Sequence, residues 1–223
     1  MWRTGQICVV SLLVVPAGQA PERLSVNDPR PLSAAVSLVE RRCHCAITYE
    51  DPLWTSDDVA LSGPHWPAMI PKGGLFTFDA PDLAVTTPAQ MAAAMAQVVR
   101  VFEQSGSGRG AFRVTNDTIA VHVVPRAGSI LDTPVTIPLA TRRLDDVVTV
   151  VLAAVERGTG QKLELATFPT NFFFQHRVEI EAKQEGAREV LVRALAASGR
   201  ALSWSLFFDA RMRQYYLNTH FVP

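Results

Sequence analysis

The sequence has no surplus of charge of either sign. Its 223 residues include 21 Lys and Arg and 21 Asp and Glu, so the formal net charge is zero. A surface that neutralises nucleic-acid phosphates needs a basic excess, and the balance therefore argues against nucleic acid as a partner. It gives equally little support to attraction towards an anionic membrane surface. Hydrophobic residues, at 48%, are abundant enough to predict a folded chain with a sizeable core.

Recognisable catalytic and cofactor motifs are also missing. The sequence has no G-x-S-x-G nucleophile elbow and no H-E-x-x-H pair, and its five histidines are scattered. The glycine-rich stretches GGLF and SGSGRG lack the Lys-Ser/Thr of a phosphate-binding loop. These absences predict a protein that is not an enzyme and that holds no cofactor.

The beginning of the sequence has the pattern of a secretory signal peptide. MWRTGQ carries one Arg and no acid, an apolar stretch runs from Ile7 to Ala17, and small residues follow up to Ala20. The apolar stretch is short for a membrane-spanning helix, which needs roughly 20 residues. We therefore expect residues 1–20 to be removed, no membrane segment afterwards, and a periplasmic or secreted mature protein. A buried N-terminal strand is the alternative interpretation.

Cysteine is scarce, with three in the whole chain. Cys8 would be lost with the signal peptide, which leaves Cys43 and Cys45 on either side of His44. A structural zinc site needs four ligands, so Cys43, His44 and Cys45 are weak metal candidates. A disulfide across one residue would close a small, strained ring. We therefore favour two free cysteines packed as apolar side chains, with a disulfide as the second interpretation and a metal site as the third.

Strand-like alternation and helical spacing follow one another in the first half of the chain. Their order is β-α-β-β-α-β-β. The first helix lies in PLSAAVSLVERR, where Leu32, Val36 and Val39 share one face. The second begins at Thr87 with the capping box TPAQ, which has Pro88 at the first helical position. Residues 52–74, between the second and third strands, are predicted to be a long loop.

The second half repeats the same order with little residue identity. Its first helix has acidic residues near the start and Gly158 past the end, and its second has Gly199 as the expected C-cap. We therefore predict an α+β fold of two tandem β-α-β-β-α-β-β units with small mixed sheets and helices packed on them. The units span residues 21–126 and 135–223, and residues 127–134 form the joint.

A family resemblance rests on these patterns. The stretches DPRPLSAAVSLVERRCHCAITYED, RRLDDVVTVVLAAVERGTGQKLEL and GAREVLVRALAASGRALSWSLFF resemble the short N-terminal domain of secretins and TonB-dependent receptors. The resemblance covers most of residues 135–223 and, with an enlarged central loop, residues 22–125. It implies a periplasmic protein-interaction module without chemistry of its own. Neither a β-barrel nor a secretin body follows in the sequence, so the receptor and pore roles do not transfer.

Two loops are rich in aromatic residues. Trp54 and Trp66 lie in the long loop of the first half, and Phe172, Phe173 and Phe174 lie in NFFFQHR of the second half. Large aromatic side chains at loop tips are typical anchors of protein interfaces. The competing interpretation is that they fold back over the sheets.

The sequence thus favours an exported adaptor or sensing module that binds another envelope protein through Trp54, Trp66 and the three phenylalanines. The alternative is an envelope enzyme or small-ligand-binding protein that uses the 52–74 loop as a pocket wall. Asp57, Asp58, His65 and Trp66 would line such a pocket.

Overall fold

The computed structural model describes residues 22–62, 68–81 and 87–223. The predicted signal peptide, His65 and Trp66 lie outside these ranges. The first half contains β1 (Arg23–Asp28), α1 (Pro31–Cys43), β2 (Ile47–Glu50), β3 (Val59–Ser62), β4 (Ala68–Pro71), β5 (Gly74–Asp79), α2 (Pro88–Ser105), β6 (Phe112–Asn116) and β7 (Val121–Pro125). After a 3-10 turn at Ile130–Asp132, the second half contains β8 (Pro134–Arg143), α3 (Leu144–Thr159), β9 (Lys162–Thr167), α4 (Thr170–Gln175), β10 (Arg177–Gly186), α5 (Ala187–Ala196), β11 (Leu202–Asp209) and β12 (Gln214–Phe221).

The α+β class is confirmed, and the repeated order is visible in the described elements. Each half adds one feature between its second and third predicted strands. In the first half this is the β3–β4 hairpin, inside the segment predicted as a long loop. In the second half it is the short helix α4, which contains the three phenylalanines.

Local chemistry sets the helix ends. The Thr87 side chain accepts a hydrogen bond from the Gln90 backbone N–H at 3.3 Å, as the capping box predicts. The predicted ends of α3 and α5 are wrong by a few residues. Helix α3 continues through Gly158 to a left-handed cap at Gly160, whose N–H bonds to the Glu156 carbonyl. Helix α5 ends before Gly199, which has a positive φ in the following turn.

Each half has the same layered arrangement. A two-stranded antiparallel ribbon, β1–β5 or β8–β10, contacts the two long helices of its unit. The same helices also contact β2, β6 and β7 in the first half and β9 and β11 in the second. The apolar stripes of the helices are buried in this way between two layers of strands, which is why Val39, Met95, Val151 and Leu191 are almost completely inaccessible.

The remaining strands form one sheet that crosses both halves. Among the described strands its order is β6-β7-β2-β11-β12-β9. The first half contributes β6-β7-β2 and the second contributes β11-β12-β9. The halves meet where β2 pairs in parallel with β11, at Tyr49 with Ser205 and Glu50 with Leu206. The prediction of small mixed sheets in two units did not include this continuity.

The helices of the two units lie on opposite faces of this sheet. We call the face of Tyr49 the front face and the face of its neighbour Glu50 the back face, because successive strand residues point to opposite sides. On the front, the Phe112 ring lies 5.7 Å from Tyr49 and 6.0 Å from Phe102 of α2. On the back, Arg188 of α5 reaches Glu50. Helices α1 and α2 thus cover the front, and α3 and α5 cover the back.

Two charged contacts join the units beside the β2–β11 pairing. Both Glu50 carboxylate oxygens accept hydrogen bonds from Arg188, at 2.8 and 3.0 Å, and the Glu50 side chain is completely buried. On the front face Arg30, just before α1, bonds to Asp51 at 2.7 Å and lies over the Phe207 ring at 4.6 Å. Each strand at the junction therefore sends one side chain to the helix layer of the other unit.

In the segments that the structure describes, none of the helices has the length and apolar character needed to cross a bilayer.

Candidate functional site

A pocket of about 590 Å³ opens at the end of the sheet where β2, β7 and β11 begin. The first unit supplies walls from the α1–β2 connection, the start of α2 and the β6–β7 turn. The second unit supplies α5 and the connection to β11. The walls are mainly apolar and include Ala46, Met91, Ile119, Val192, Leu195 and Trp204. We call this space the junction pocket, because neither unit forms it alone.

The α1–β2 connection at the pocket rim contains the two cysteines. Helix α1 ends at Cys43, His44 caps it in the left-handed conformation, and Cys43 is bonded to Cys45 as a disulfide with a Cα–Cα distance of 5.2 Å. The favoured expectation of two free thiols is therefore wrong, and the second interpretation is the one observed. The left-handed backbone of His44 turns the chain sharply enough to bring the neighbouring cysteines together.

The disulfide also argues against a metal site at Cys43, His44 and Cys45. The thiolate is the form of cysteine that binds metals, and both sulfurs are used in the bond. His44 instead contacts the Pro223 carbonyl oxygen through Nδ1 at 2.7 Å. Within residues 22–62, 68–81 and 87–223, no group of three or more His, Cys, Asp or Glu side chains is placed to hold a metal ion.

The ionisable side chains that line the junction pocket are His44 and Arg200, both exposed, and its described lining contains no acidic residue. The Arg200 guanidinium lies over the ring of Phe221 at 5.3 Å. The pocket is therefore an apolar space with the Arg200 guanidinium and the His44 imidazole at its rim. It suits a ligand segment that is mainly apolar and not positively charged.

Beyond Arg200 lies a cluster of phenylalanines, formed by Phe168, Phe172, Phe173, Phe174 and Phe221. Phe172 packs edge-on against Phe221 at 5.2 Å and stacks on His176 at 3.7 Å. Phe168 lies 5.2 Å from Phe173 and 6.1 Å from Phe174. The aromatic cluster thus continues the surface of the junction pocket, with Arg200 and Phe221 as the link.

The three predicted anchor residues of NFFFQHR have different environments. This stretch folds as α4, and its helical geometry separates the three rings. Phe173 is completely buried, Phe172 is half-buried, and Phe174 is 46% exposed beneath the Arg143 guanidinium. Phe173 is corrected to a core residue, because it is completely buried in the hydrophobic core on the side of α4 that packs against α3 and β8.

Trp54, the described aromatic residue of the two predicted in the long loop, is not part of this site. Trp54 is 7% exposed and belongs to the core, so its prediction as a partner-binding anchor is corrected. Asp57 is exposed, and Asp58 accepts hydrogen bonds from the Thr55 N–H and hydroxyl at 3.0 and 2.6 Å. None of the described residues of the 52–74 loop lines the junction pocket. His65 and Trp66 lie outside the described residues.

A hydrogen-bonded Thr–His–Asp row lies close to the pocket wall. Thr48 Oγ1 contacts His122 Nδ1 at 2.9 Å, and His122 Nε2 contacts Asp117 at 3.1 Å. Burial lowers the pKa of His122 below 6.5, although Asp117 opposes this shift. Burial also works against ionisation of Asp117, but the N–H groups of Ala120 and Ile119 and the His122 ring outweigh it and lower the pKa of Asp117.

This row has the order of a nucleophile, base and acid, but its threonine cannot meet a substrate. Thr48 is completely buried in the sheet, and His122 is covered by the ring of Trp204 at 5.9 Å. The row instead satisfies polar groups beneath the pocket floor. The burial of His122 favours a structural role for this side chain.

Sequence reasoning missed most of the pocket. Ile119, Val192, Arg200 and Trp204 come from separate segments, and each reads locally as an ordinary turn, helix or strand residue. Of its lining, Cys43, His44 and Cys45 had been considered as site residues, but for metal or disulfide chemistry. A cavity between two units leaves no periodic pattern in either one, so the sequence carries no local indication of it.

Comparisons with known proteins add no relative. No protein-family model, no curated protein and no solved structure matches this chain. The resemblance to the short N-terminal domain of secretins and TonB-dependent receptors therefore stays a prediction.

Proposed function

We propose that the protein is an exported, non-catalytic interaction module of the cell envelope that holds an apolar segment of a partner protein. The segment occupies the junction pocket and extends over the aromatic cluster. The observation that carries this proposal is the contact series from Arg200 through Phe221 to Phe172, which makes pocket and cluster one surface.

The composition of this surface supports protein recognition. Interfaces are anchored by a few aromatic or apolar groups that fit into pockets and are surrounded by polar residues. Here Phe221 is exposed next to Arg200 of a concave apolar space, and Phe174 is exposed within the aromatic cluster. An extended or helical segment with one large apolar side chain would fill the pocket and cover the rings.

The disulfide supports an oxidising compartment. Disulfides persist in secreted and periplasmic proteins, whereas cytosolic thiols are kept reduced. Together with the signal-like stretch at residues 1–20, the Cys43–Cys45 bond favours export. Cell fractionation followed by intact-mass measurement tests this part. A mature chain that begins between Gly18 and Glu22 supports it, and an intact Met1 in the exported fraction contradicts it.

Site-specific crosslinking tests the binding surface. A photoreactive phenylalanine at position 174 should capture an envelope protein in living cells. The matched control is the same residue at position 212, because Met212 is 58% exposed in the turn between β11 and β12, at the opposite end of the sheet. Equal capture at both positions, or capture at position 212 alone, contradicts the proposed surface.

Substitution at the pocket rim then measures how much the pocket contributes to the affinity for the partner. Ile119 is 49% exposed and lines the pocket, so Ile119→Ser should weaken capture of the identified partner by about 1–2 kcal/mol with little loss of stability. Leu61→Ser is the control, because Leu61 is 71% exposed and lies outside the pocket. Similar affinities for the two variants would place the partner elsewhere.

A small apolar ligand is the second candidate occupant. The volume of the pocket, about 590 Å³, falls within the usual range of small-molecule sites. Native mass spectrometry of protein purified from its own compartment distinguishes the candidates. A retained small molecule that is absent from a pocket-filling Ala46→Leu variant supports the second candidate.

A further inference from the structure

The two outer edges of the six-stranded sheet are formed by strands equivalent to the two that pair at its internal junction. The first unit contributes its closing hairpin, β6 and β7, followed by β2. The second unit contributes its closing hairpin, β11 and β12, followed by β9. At the junction, β2 pairs with β11, the first hairpin strand of the next unit. The outer strands are β9, the counterpart of β2, and β6, the counterpart of β11. Within the described residues no strand pairs with the outer side of either one.

The step from the first unit to the second can be repeated. Strands β2, β7 and β11 run in one direction, and β6, β12 and β9 run in the other. Each strand of the second unit therefore runs opposite to its counterpart in the first unit, and the helices of the second unit cover the opposite face. The order of equivalent strands across the sheet is the same in both units. A second such step returns to the original orientation. It would place β6 of a second copy beside β9 in parallel, with the helices of that first unit again on the front face.

At the internal junction each strand sends a side chain to the helix layer of the neighbouring unit. Glu50 of β2 points away from its own helices and meets Arg188 of α5. Phe207 of β11 likewise points away from its own helices and meets Arg30 beside α1. The outer edges carry the same arrangement in charged form. On β6 the outward N–H of Phe112 donates to Glu103 and its carbonyl accepts from Arg126, so these two side chains must move aside for a strand to pair there.

On β9, Leu163 and Leu165 face α3, so the exposed Glu164 between them points to the front. There it would meet α2 of a second copy. The lateral side of α2 beside β6 is a groove of about 270 Å³ that includes Arg100 and Arg126. Arg126 is already paired with Glu103, which leaves Arg100 as the facing cation for Glu164.

On β6, Phe112 faces α2, so the exposed Arg113 next to it points to the back. There it would meet α3 of the preceding copy. The lateral side of α3 beside β9 is a groove of about 310 Å³ whose lining includes Glu156 and no basic residue. Both cross-contacts therefore join opposite charges, although Arg113 also lies 3.4 Å from the exposed Asp132.

We propose that copies of this chain associate head to tail, with β9 of one copy paired in parallel with β6 of the next, so that the sheet continues from copy to copy. Such a contact uses different surfaces on the two partners and leaves both outer edges open for further copies. Glu164 faces Arg100 across it on the front, and Arg113 faces Glu156 on the back. This inference does not depend on the proposed function of the junction pocket.

Charge reversal tests the contact by sedimentation velocity over a concentration series at low salt. The wild-type protein should show a mass that rises with concentration. Glu164→Lys and Arg100→Glu should each raise the dissociation constant by about tenfold or more, because like charges then face each other. The double variant should associate again. Glu179→Lys is the control, because Glu179 is exposed on β10, away from both edges.

Mixing the two single variants gives a sharper result. An Arg100→Glu copy keeps Glu164 on β9, and a Glu164→Lys copy keeps Arg100 beside β6, so one normal contact forms. The other contact in the mixture joins the two substituted positions, which carry opposite charges there as they do in the double variant. The mixture should therefore associate with rising concentration although each single variant alone associates weakly. A wild-type protein that is monomeric at every concentration overturns the proposal. So does association that Glu164→Lys leaves unchanged, or a double variant that stays monomeric.

Discussion

Loss of Arg188 should destabilise the protein strongly, because Arg188 neutralises a carboxylate inside the sheet. Both oxygens of Glu50 are bonded to this guanidinium, and the Glu50 side chain is completely buried while that of Arg188 is 12% exposed. The carboxylate and Asp132 overcome the effect of burial and hold the pKa of Arg188 above its ordinary value, so the guanidinium stays charged. Ser129 also contacts Glu50.

The expected loss of unfolding free energy follows from the charge that the substitution leaves unpaired. In Arg188→Met the Glu50 carboxylate stays buried without its cation, and such a change costs about 3–5 kcal/mol. With a urea m-value on the order of 2–3 kcal/mol/M, the unfolding midpoint should fall by about 1–2 M. Replacing both members, as Glu50→Met with Arg188→Met, should recover most of this loss. An apolar pair of similar volume needs no compensation for buried charge.

Urea unfolding followed by circular dichroism measures these differences. Arg23→Met is the control, because the Arg23–Asp79 pair is largely exposed and its loss should cost about 0–1 kcal/mol. If Arg188→Met costs no more than this control, Glu50 is in contact with water and the two units are not joined as described. A double variant as unstable as the single one would show that the loss comes from packing around Arg188 instead of from the unpaired carboxylate.

Three further predictions concern single elements. Phe173→Ala should cost about 3–5 kcal/mol, whereas Phe174→Ala should change the unfolding free energy by less than about 1 kcal/mol; equal thermal shifts for both would contradict the environments found in α4. Because burial lowers the folded-state pKa of His122, the unfolded chain binds more protons just below pH 6.5, and stability should decline as the pH falls through this range; a His122→Gln variant with an equally steep decline between pH 7 and 5 would refute this. In the mature protein, Cys43 and Cys45 should react with iodoacetamide only after reduction, and labelling without a reductant, read by mass spectrometry, would contradict the disulfide.

The repeat and the fold class could be predicted because their causes are local. Helix α2 begins where Thr87 and Pro88 predict it, and its apolar face follows from the spacing of Met91, Met95 and Val98. The ribbons and hairpins follow in the same way from alternation. Errors at this level are small and concern helix ends. At Gly158, for example, the glycine was read as a stop although the left-handed cap lies at Gly160.

The continuous sheet could not be predicted, because it depends on pairing between distant segments. Nothing in TYED distinguishes Glu50 from a solvated acid at the end of a strand. Its burial follows from the pairing with Leu206 and from Arg188, both in the other half of the chain. Trp54 was misread for a similar reason. A tryptophan in an irregular segment has no periodic pattern that shows whether it faces water or the core.

The position of the junction pocket follows from the way in which the two units are joined. Because their helices cover opposite faces, α5 of the second unit lies over β2 and β7 of the first only near the junction. At the end where those strands begin, α5 meets the disulfide-linked turn after α1 and the β6–β7 turn. Ligand sites are common where two structural units meet, because neither unit fills the space between them. The duplicated pattern and the binding surface therefore have one origin. A change that weakens the Glu50–Arg188 contact should loosen the pocket before it disturbs the fold of either unit.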